Sequence, residues 1–470
     1  MPENQASKRL AKGTIVYMIG NLSSKVLQML ILPIITASLA TSEYGYYDLI
    51  VTTISLVTPV ITLQMVEGMF RFMFNVSEDE QRKTVSTVTA FLVCGVVFLA
   101  GIIALLYFTL PNIQYPILLF LNYISNILFN YMQKLARCQQ KGKQFAISGV
   151  VNTIVMLGCQ AITLLVFKMG VDGMLIANAA SYVVASLYLI MCLDIKRWFS
   201  KNAVDTGKFK DILKYSAPLV PNSIAWWFVA SSDRYVITWF LGTAANGVYS
   251  IAGKFSQLLT FITTVFQLAW QESAIMEENS ERRDAFYSRT FNAYMKLLLG
   301  GYVVVLPFIR IIIPVLLADS YQDGWLYNPI LLIGAVFSAF SQFYGSAYLV
   351  FKKTGGAFFT TVVATTINIV IGIGLIRWIG LYAPALGTAC SFLIQWIIRA
   401  CQMKEYFKVK IEMKTLIVLL ICGALSTMIY YFGKLPLQIV SMMVGIVVFV
   451  YINRDIILMI ISKVLGAKNK

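Results

Sequence analysis

Apolar runs long enough to cross a bilayer follow one another along the chain, separated by short polar segments. A run of 18 or more predominantly apolar residues predicts a membrane-spanning helix. Fourteen helices are predicted, at residues 12–39, 44–75, 83–108, 112–138, 142–167, 171–194, 212–241, 246–277, 285–316, 324–350, 354–378, 383–403, 412–432 and 436–461. A backbone in hydrocarbon must satisfy its own hydrogen bonds, so the predicted fold class is an all-α polytopic membrane protein.

Composition agrees with this pattern, since the 470 residues are 58% hydrophobic and 13% charged, with a mean hydropathy of +0.74. The alternating ten-residue strands of an outer-membrane barrel are not visible. The N-terminus begins like a signal peptide, with Lys8, Arg9 and Lys12 before an apolar run. That run is too long for a signal peptide, so we predict an uncleaved first helix.

Basic residues indicate the orientation of the predicted helices. Of 38 Lys and Arg residues, 29 lie at the termini or in even-numbered loops, and three lie in odd-numbered loops: Lys168, Arg377 and Lys434. Basic loops stay in the cytoplasm, so both termini are predicted to be cytoplasmic. The same asymmetry accounts for most of the net charge of +16, and no nucleic-acid partner is predicted.

Several kinds of chemistry have no signature in this chain. It contains no histidine, no Walker A sequence and no CxxC spacing among its seven cysteines. Loops are short, and the longest, near residues 195–211, is a basic connector. We therefore predict no enzyme, no cofactor and no metal site, and we place the function within the helical bundle.

A weak internal repeat divides the chain. Gly45 and Tyr47 lie 202 residues before Gly247 and Tyr249, and residues 170–181 resemble residues 380–391. A six-helix unit repeated once predicts two lobes related by a pseudo-two-fold axis along the membrane normal. The alternative is chance similarity between apolar helices. The predicted units are an N-terminal lobe at 1–200, a C-terminal lobe at 201–405, and two appended helices at 406–470.

Polar residues at helical spacing mark faces turned away from lipid. Such faces occur on predicted helices 1, 4, 8 and 9, and their members are Asn21, Lys25 and Gln28; Asn122, Asn126, Asn130, Lys134 and Arg137; Lys254, Gln257, Thr264, Gln267 and Gln271; and Arg289, Asn292 and Lys296. We predict that Asn21, Gln28, Asn126, Asn130, Gln257 and Gln267 line a polar cavity.

Beyond the 32 basic residues already counted with the termini and loops, six lie deeper within predicted spans, where a charge at the bilayer centre costs at least about 2.5 kcal/mol. They are Lys25, Arg71, Arg234, Lys254, Lys296 and Arg310; the acids at comparable depth are Glu67, Asp233 and Glu272. This excess of cations favours an anionic, phosphate-bearing substrate, for which we predict the ligands Lys25, Arg71, Arg234, Lys254 and Lys296.

Structural roles for these charges remain open. Arg71 could instead snorkel to the membrane surface, and Glu67 and Arg71, four residues apart, could form a helix–helix clasp. Asp233 and Arg234 point about 100° apart on a helix and need not pair with each other. Arg310, between Pro307 and Pro314, is interpreted as structural.

Three segments carry a family resemblance: LPIITASLATSEYGYYDL, GMFRF, and DRYVITWFLGTAANGVYSIAGKF at residues 233–255. They resemble the polysaccharide transporter family, the Wzx-type lipid-linked oligosaccharide flippases of the multidrug/oligosaccharidyl-lipid/polysaccharide exporter superfamily. Arg71, Asp233 and Arg234 match motif positions. The resemblance implies two six-helix lobes in a V around a cationic central cavity, plus two extra helices.

It also implies a function. The expected substrate is an undecaprenyl-pyrophosphate-linked oligosaccharide of the O-antigen or capsule type, flipped to the outer leaflet of the bacterial cytoplasmic (inner) membrane by alternating access. Glu67, Asp233 and Glu272 are candidates for coupling to H⁺ or Na⁺, and a polysaccharide polymerase and a chain-length regulator are candidate partners. The alternatives are a multidrug cation antiporter, a lipid II flippase, and a non-transporting scaffold of polysaccharide assembly.

Overall fold

The computed structural model describes residues 28–74, 76–109, 115–277, 280–351, 354–454 and 457–458. These residues form helices and no strands. In chain order the helices are α1 (Leu32–Ser38), α2 (Thr41–Thr62), α3 (Met65–Phe72), α4 (Glu78–Thr109), α5 (Pro116–Cys138), α6 (Gly142–Ala161), α7 (Gly170–Cys192), α8 (Ile195–Trp198), α9 (Thr206–Ser216), α10 (Leu219–Met276), α11 (Arg283–Leu316), α12 (Asp319–Gln322), α13 (Asn328–Val350), α14 (Thr354–Ile379), α15 (Tyr382–Met403), α16 (Met413–Phe432) and α17 (Leu435–Ile452). A π-helical turn at Ile162–Val166 extends α6, and 3₁₀ turns lie at Lys201–Ala203 and Asp323–Tyr327.

The predicted fold class is confirmed: the protein is an all-α polytopic membrane protein. Among the described residues, ten helices are both long and apolar enough to cross a membrane. Two further helices, α5 and α10, have at least 18 residues but are not apolar enough by this measure. Both carry polar faces predicted from the sequence. Membrane burial therefore explains most of the helices, while the two less apolar ones require protein or water contacts.

The second predicted helix is broken in the structure. Leu63 and Gln64 both adopt left-handed backbone conformations, with φ of 44° and 54°, and they separate α2 from α3. Pro59 lies one turn earlier and cannot donate a backbone hydrogen bond to the helix. The break therefore divides the predicted helix 44–75 into two and starts α3 shortly before Glu67.

A similar interruption separates predicted helices 7 and 8. Gly242 has φ 87° and ψ 171°, which is non-helical, inside the stretch that forms α10. A glycine adopts this conformation without steric cost. The segments before and after Gly242 belong to two predicted spans, and the predicted start at residue 212 is replaced by a separate helix, α9, ahead of α10.

The basic connector predicted near residues 195–211 contains the short helix α8, a 3₁₀ turn and α9. Asp205 caps α9 by accepting a hydrogen bond from the Lys208 backbone N–H at 2.9 Å. The Lys208 ammonium pairs with Glu80 of α4 at 2.6 Å. A Cβ atom at Gly68 of α3 would lie 2.6 Å from Ile212 Cγ2, so only glycine lets α9 approach α3 this closely.

The chain forms two compact units, Met1–Phe228 and Val229–Lys470. In the first unit, Met65, Met69 and Leu135 are fully buried in a core built from α3, α4, α5, α7 and α9. In the second unit, α16 and α17 pack on α11. There the Tyr302 and Thr427 hydroxyls lie 2.7 Å apart, and a Cβ atom at Gly445 would lie 3.1 Å from the Val303 carbonyl oxygen. The division at 1–200, 201–405 and 406–470 stays a prediction.

Candidate functional site

A cleft of about 530 Å³ lies within the first unit. Residues of α2, α3, α5, α6 and α7 line it, and its polar lining consists of Ser55, Thr58, Thr62, Gln64, Glu67, Asn122, Asn126, Asn130, Gln133, Lys134, Arg137, Asn178 and Tyr182. The volume is within the range of roughly 300–1,000 Å³ found for small-molecule sites. A polar cleft between otherwise apolar helices is a candidate binding site.

One face of α5 supplies most of this polar surface. Asn122, Asn126, Asn130 and Lys134 follow one another at intervals of four residues, which places them on one side of the helix. The Asn130 amide nitrogen donates to Asn126 Oδ1 at 3.0 Å. The prediction from the sequence that Asn126 and Asn130 lie on one polar face agrees with this placement, although their role as substrate contacts stays a prediction.

Asn122 is completely buried at one end of this face. Its amide nitrogen donates to the Leu175 carbonyl oxygen at 3.0 Å and thereby joins α5 to α7. Its Oδ1 atom is buried and accepts no hydrogen bond from the part of the chain that is described. A buried acceptor without a partner costs free energy.

Two cations lie at the opposite end of the face. Lys134 Nζ pairs with Glu67 Oε1 at 2.6 Å, and the Lys134 side chain is only 17% exposed. Arg137 is exposed, and its guanidinium carbon lies 4.8 Å from the centre of the Phe70 ring. Both lysine and arginine can bind phosphate oxygens. The cleft therefore combines a row of amides with a cationic end.

The Glu67–Arg71 clasp that the sequence allowed is not what forms. Glu67 pairs with Lys134 on another helix, and Arg71, near the end of α3, is exposed. Glu67 follows closely after the break at Leu63 and Gln64, whereas the Arg71 side chain at the other end of α3 is exposed. Arg71 as a phosphate ligand stays a prediction.

Asp233 and Arg234 belong to the second unit, where they form an ion pair. Arg234 Nη1 donates to Asp233 Oδ1 at 2.6 Å, and the two side chains are 19% and 9% exposed. The sequence left this pairing open, and in the structure the two side chains do pair. The arginine side chain is long enough to bend back across the angle of about 100° between successive residues.

The segment after Gly242 lies against this pair. A Cβ atom at Gly253 would lie 3.9 Å from Arg234 Nη2, and Tyr249 is buried beside the Asp233 and Arg234 charges. Lys254 follows Gly253 and is half-buried. Residues 233–255, which carry the family resemblance, thus fold back on themselves. Arg234 near the beginning of this segment lies close to Gly253 near its end.

Other predicted residues of α10 have varied surroundings. Gln257 is half-buried. The Gln267 amide donates to the Gln342 carbonyl oxygen at 2.9 Å and to the Ser346 hydroxyl, so it joins α10 to α13. Glu272 belongs to α10, but its side chain lies outside the described part of the structure, as do Asn21 and Lys25 entirely. Gln28 is helical and half-buried.

The polar face of α11 holds the connector that precedes α16. The Ser288 hydroxyl accepts from the Lys410 backbone N–H at 2.9 Å, and Asn292 Oδ1 accepts from the Glu412 backbone N–H at 3.0 Å. One turn further, Lys296 Nζ pairs with Glu412 Oε2 at 2.7 Å. This face therefore anchors the appended helices, and the phosphate-binding role predicted for Lys296 stays untested.

Arg310 contacts an aromatic ring, with its guanidinium carbon 3.7 Å from the centre of the Trp325 ring. This cation–π contact agrees with the structural interpretation of Arg310.

Arg399 lies near the end of the predicted span at 383–403 and was not among the six deeper cations, but the structure buries it to 3% exposure. Its guanidinium donates to Thr360 Oγ1, Thr361 Oγ1 and the Ser341 carbonyl oxygen at 3.0–3.2 Å. Gly345 makes room, since a Cβ atom there would lie 2.7 Å from Arg399 Nη1. Ser391, Gln395 and Arg399 are polar and spaced four residues apart, so they lie on one face of α15. This spacing in the sequence could have revealed the buried polar face.

Lys134, Arg137, Asn178 and Tyr182 were not among the predicted binding residues, although all four line the cleft. The first two continue the asparagine face of α5 and could have been chosen from that spacing. Asn178 and Tyr182 had no comparable signal in the sequence. No group of three or more metal-ligating side chains occurs within the described ranges.

Residues 10–270 match the family described as "Polysaccharide biosynthesis protein", more than half of the chain. The chain therefore belongs to this family. Part of it is 22% identical, over 211 residues, to a protein of Haloferax volcanii named "Probable low-salt glycan biosynthesis flippase". That alignment covers 43% of this chain, and the chain spans 44% of the length of this curated relative.

Solved structures with the same fold cover nearly all of the chain. "Lipid II flippase MurJ, inward closed conformation" has a TM-score of 0.70 and 14% identity, and the match covers 94% of this chain and 100% of that one. An inward-facing multidrug resistance MATE family transporter of the MOP superfamily has a TM-score of 0.65 and 13% identity, covering 87% and 99%. At these identities the likeness shows the fold alone.

Proposed function

We propose that this protein is a flippase that moves a polyprenyl-pyrophosphate-linked oligosaccharide from the cytoplasmic to the outer leaflet by alternating access. The match of residues 10–270 to the polysaccharide biosynthesis family carries the proposal. The name of the Haloferax volcanii relative and the transporter fold support it. Undecaprenyl is the expected lipid, and the bacterial inner membrane, with both termini cytoplasmic, is the expected location.

The chemistry of the cleft supports an anionic, sugar-bearing substrate. Amide side chains can donate to and accept from hydroxyl groups, and cations at one end suit phosphate. The carboxylate that lines the cleft, Glu67, is already paired with Lys134. With Lys134 and Arg137 against this one acid, the charged lining that the structure describes is net cationic, which favours a flippase of an anionic lipid over a multidrug cation antiporter.

The cations that bind pyrophosphate are proposed as Lys134 and Arg137, with Arg234 and Lys254 as further candidates. To bind Arg234, the anion would have to compete with Asp233 for the guanidinium group. Lys25, Arg71 and Lys296 are retained only as sequence-based candidates. Coupling of transport to H⁺ or Na⁺ through Glu67, Asp233 or Glu272 is likewise a proposal, as are the polymerase and chain-length regulator as partners. The proposal includes no catalytic step.

A translocation assay in proteoliposomes tests the function. Wild-type protein is expected to transfer an undecaprenyl-pyrophosphate oligosaccharide between leaflets, and Lys134→Ala/Arg137→Ala is expected to reduce the rate at least tenfold. Lys143→Ala is the control, because Lys143 is exposed on neighbouring α6 and does not line the cleft. Transport of a cationic dye, with no transfer of the sugar lipid, would contradict the flippase and support the antiporter.

A further inference from the structure

The asparagine face of α5 extends well beyond the two cations, and phosphate binding does not explain it. Asn122 and Asn130 lie eight residues apart, which is about 12 Å along a helix. All three asparagines of this face line the cleft, together with Asn178 and Tyr182 of α7. A polar row of this length within a membrane protein is costly unless it binds water, protein or ligand.

Contacts within the protein satisfy only part of this row. Asn122 Nδ2 donates to the Leu175 carbonyl oxygen of α7, and Asn130 Nδ2 donates to Asn126 Oδ1. Asn122 Oδ1, however, is buried and has no hydrogen-bond partner among the described residues. The protein therefore leaves part of the hydrogen-bonding capacity of this amide row unused, at the end of the cleft remote from the cations.

The neighbouring side chains indicate the chemical class of a ligand for this row. Amides match hydroxyl and acetamido groups because both can donate and accept hydrogen bonds. Tyr182 offers an aromatic ring held by stacking on Phe129, with ring centres 5.6 Å apart. The charged groups of the lining, Glu67, Lys134 and Arg137, lie at the other end of the α5 face. The asparagine end is thus uncharged.

We infer that Asn122, Asn126, Asn130, Asn178 and Tyr182 form a subsite for the neutral sugar residue attached directly to the lipid pyrophosphate. The phosphates would lie at Lys134 and Arg137, and the sugar would extend along α5 towards Asn122. This inference rests on the proposed function and specifies the part of the substrate that the cleft recognises. A carboxylate-bearing sugar is disfavoured there because none of the described residues that line that end is a cation.

Binding to purified protein in nanodiscs tests the subsite separately from transport. The probes are farnesyl pyrophosphate alone and farnesyl pyrophosphate linked to a neutral hexose, an N-acetylhexosamine or a hexuronic acid. Wild type is expected to bind one of the neutral sugar lipids more tightly than the bare pyrophosphate and the hexuronic acid lipid. Equal affinity for all four probes would overturn the inference without requiring any variant.

Asn126→Leu/Asn130→Leu is expected to weaken binding of the sugar lipid by about tenfold, the loss for one or two ordinary hydrogen bonds. Its affinity for bare farnesyl pyrophosphate should stay unchanged. Asn152→Leu is the control, since Asn152 lies on α6 outside the cleft lining. Melting temperature reports whether each variant is folded.

This experiment distinguishes a failure of the proposed flippase function from a failure of the proposed sugar subsite. If wild type binds none of the four probes, the proposed function itself fails. If it binds all of them and the double variant loses bare and sugar-linked probes equally, the flippase proposal stands and the sugar subsite is wrong. If the double variant binds every probe as wild type does, the asparagines do not contact the sugar.

Discussion

Glu67 binds the Lys134 ammonium at 2.6 Å, and Lys134 is one of the two cations proposed to bind the substrate phosphates. An incoming phosphate must therefore compete with this carboxylate or share the lysine with it. The Glu67 side chain is 45% exposed, so water screens the ion pair. The pair therefore contributes little to stability, below about 1 kcal/mol. Its main effect is on the availability of Lys134.

Glu67→Gln is expected to lower the melting temperature slightly and to raise the affinity for farnesyl pyrophosphate several-fold. The stability falls because Lys134 loses its partner, and the affinity rises because the lysine is released. Thermal melting and a binding titration measure the two effects. Asp79→Asn is the control for the affinity, since Asp79 is an exposed carboxylate of α4 that does not line the cleft. A loss of affinity in Glu67→Gln would show instead that Glu67 positions Lys134 for the anion.

Sequence spacing was sufficient to place Asn126 and Asn130 on one face, because that face depends only on the period of the helix. It was insufficient for the partner of Lys134, since Glu67 is distant in the chain and reaches α5 only after the left-handed turn at Leu63 and Gln64. Arg399 shows the same limit, as its burial depends on how α13, α14 and α15 pack together.

At the scale of helices, α11 anchors the connector that precedes α16. Ser288, Asn292 and Lys296 repeat every four residues and bind the backbone or side chains of residues 408–412. The sequence showed this polar face but not what it contacts. Because hydropathy marks where helices run, it predicted both α11 and α16; the contact between them depends on the backbone path of the connector.

The Lys296–Glu412 pair predicts a pH dependence at this anchor. The hydrogen bond from Lys296, with its positive charge, lowers the pKa of the Glu412 carboxyl below its usual value of 4.5. A carboxyl whose pKa is lowered by folding stabilises the folded state above its unfolded pKa, and this contribution is lost as pH falls through the folded pKa. Solvent exposure of Glu412 limits the contribution to below about 1 kcal/mol.

Glu412→Gln should therefore melt at a lower temperature than wild type above pH 5, and the difference should disappear as the pH falls below 4.5. Melting curves between pH 3.5 and 7 measure this, with Glu405→Gln as a control because Glu405 is exposed in the same connector. A difference that persists at low pH would mean that the substitution acts by some route other than the ion pair. Transport should be unaffected if Lys296 is an anchor rather than a phosphate ligand.

At the scale of the whole molecule, the leaflet that the cationic end of the cleft faces depends on the direction in which the helices cross the membrane. The cations of α5 lie towards its C-terminal end, next to Lys141 in the loop that follows and Lys143 in the first turn of α6. If basic loops are cytoplasmic, the cationic end of the cleft faces the leaflet in which the lipid-linked sugar is supplied. Loading and orientation are thus linked in the proposed function.

The helix α16 allows this orientation to be tested with a matched pair, since exposed Lys408 precedes it and exposed Lys434 follows it. In a variant without native cysteines, Lys434→Cys should react with a membrane-impermeant maleimide in intact cells, and Lys408→Cys only after permeabilisation. The reverse result would invert the chain and place the cations of the cleft at the outer leaflet. Such an orientation would contradict outward flipping, because the cationic end of the cleft would then face away from the leaflet that supplies the substrate.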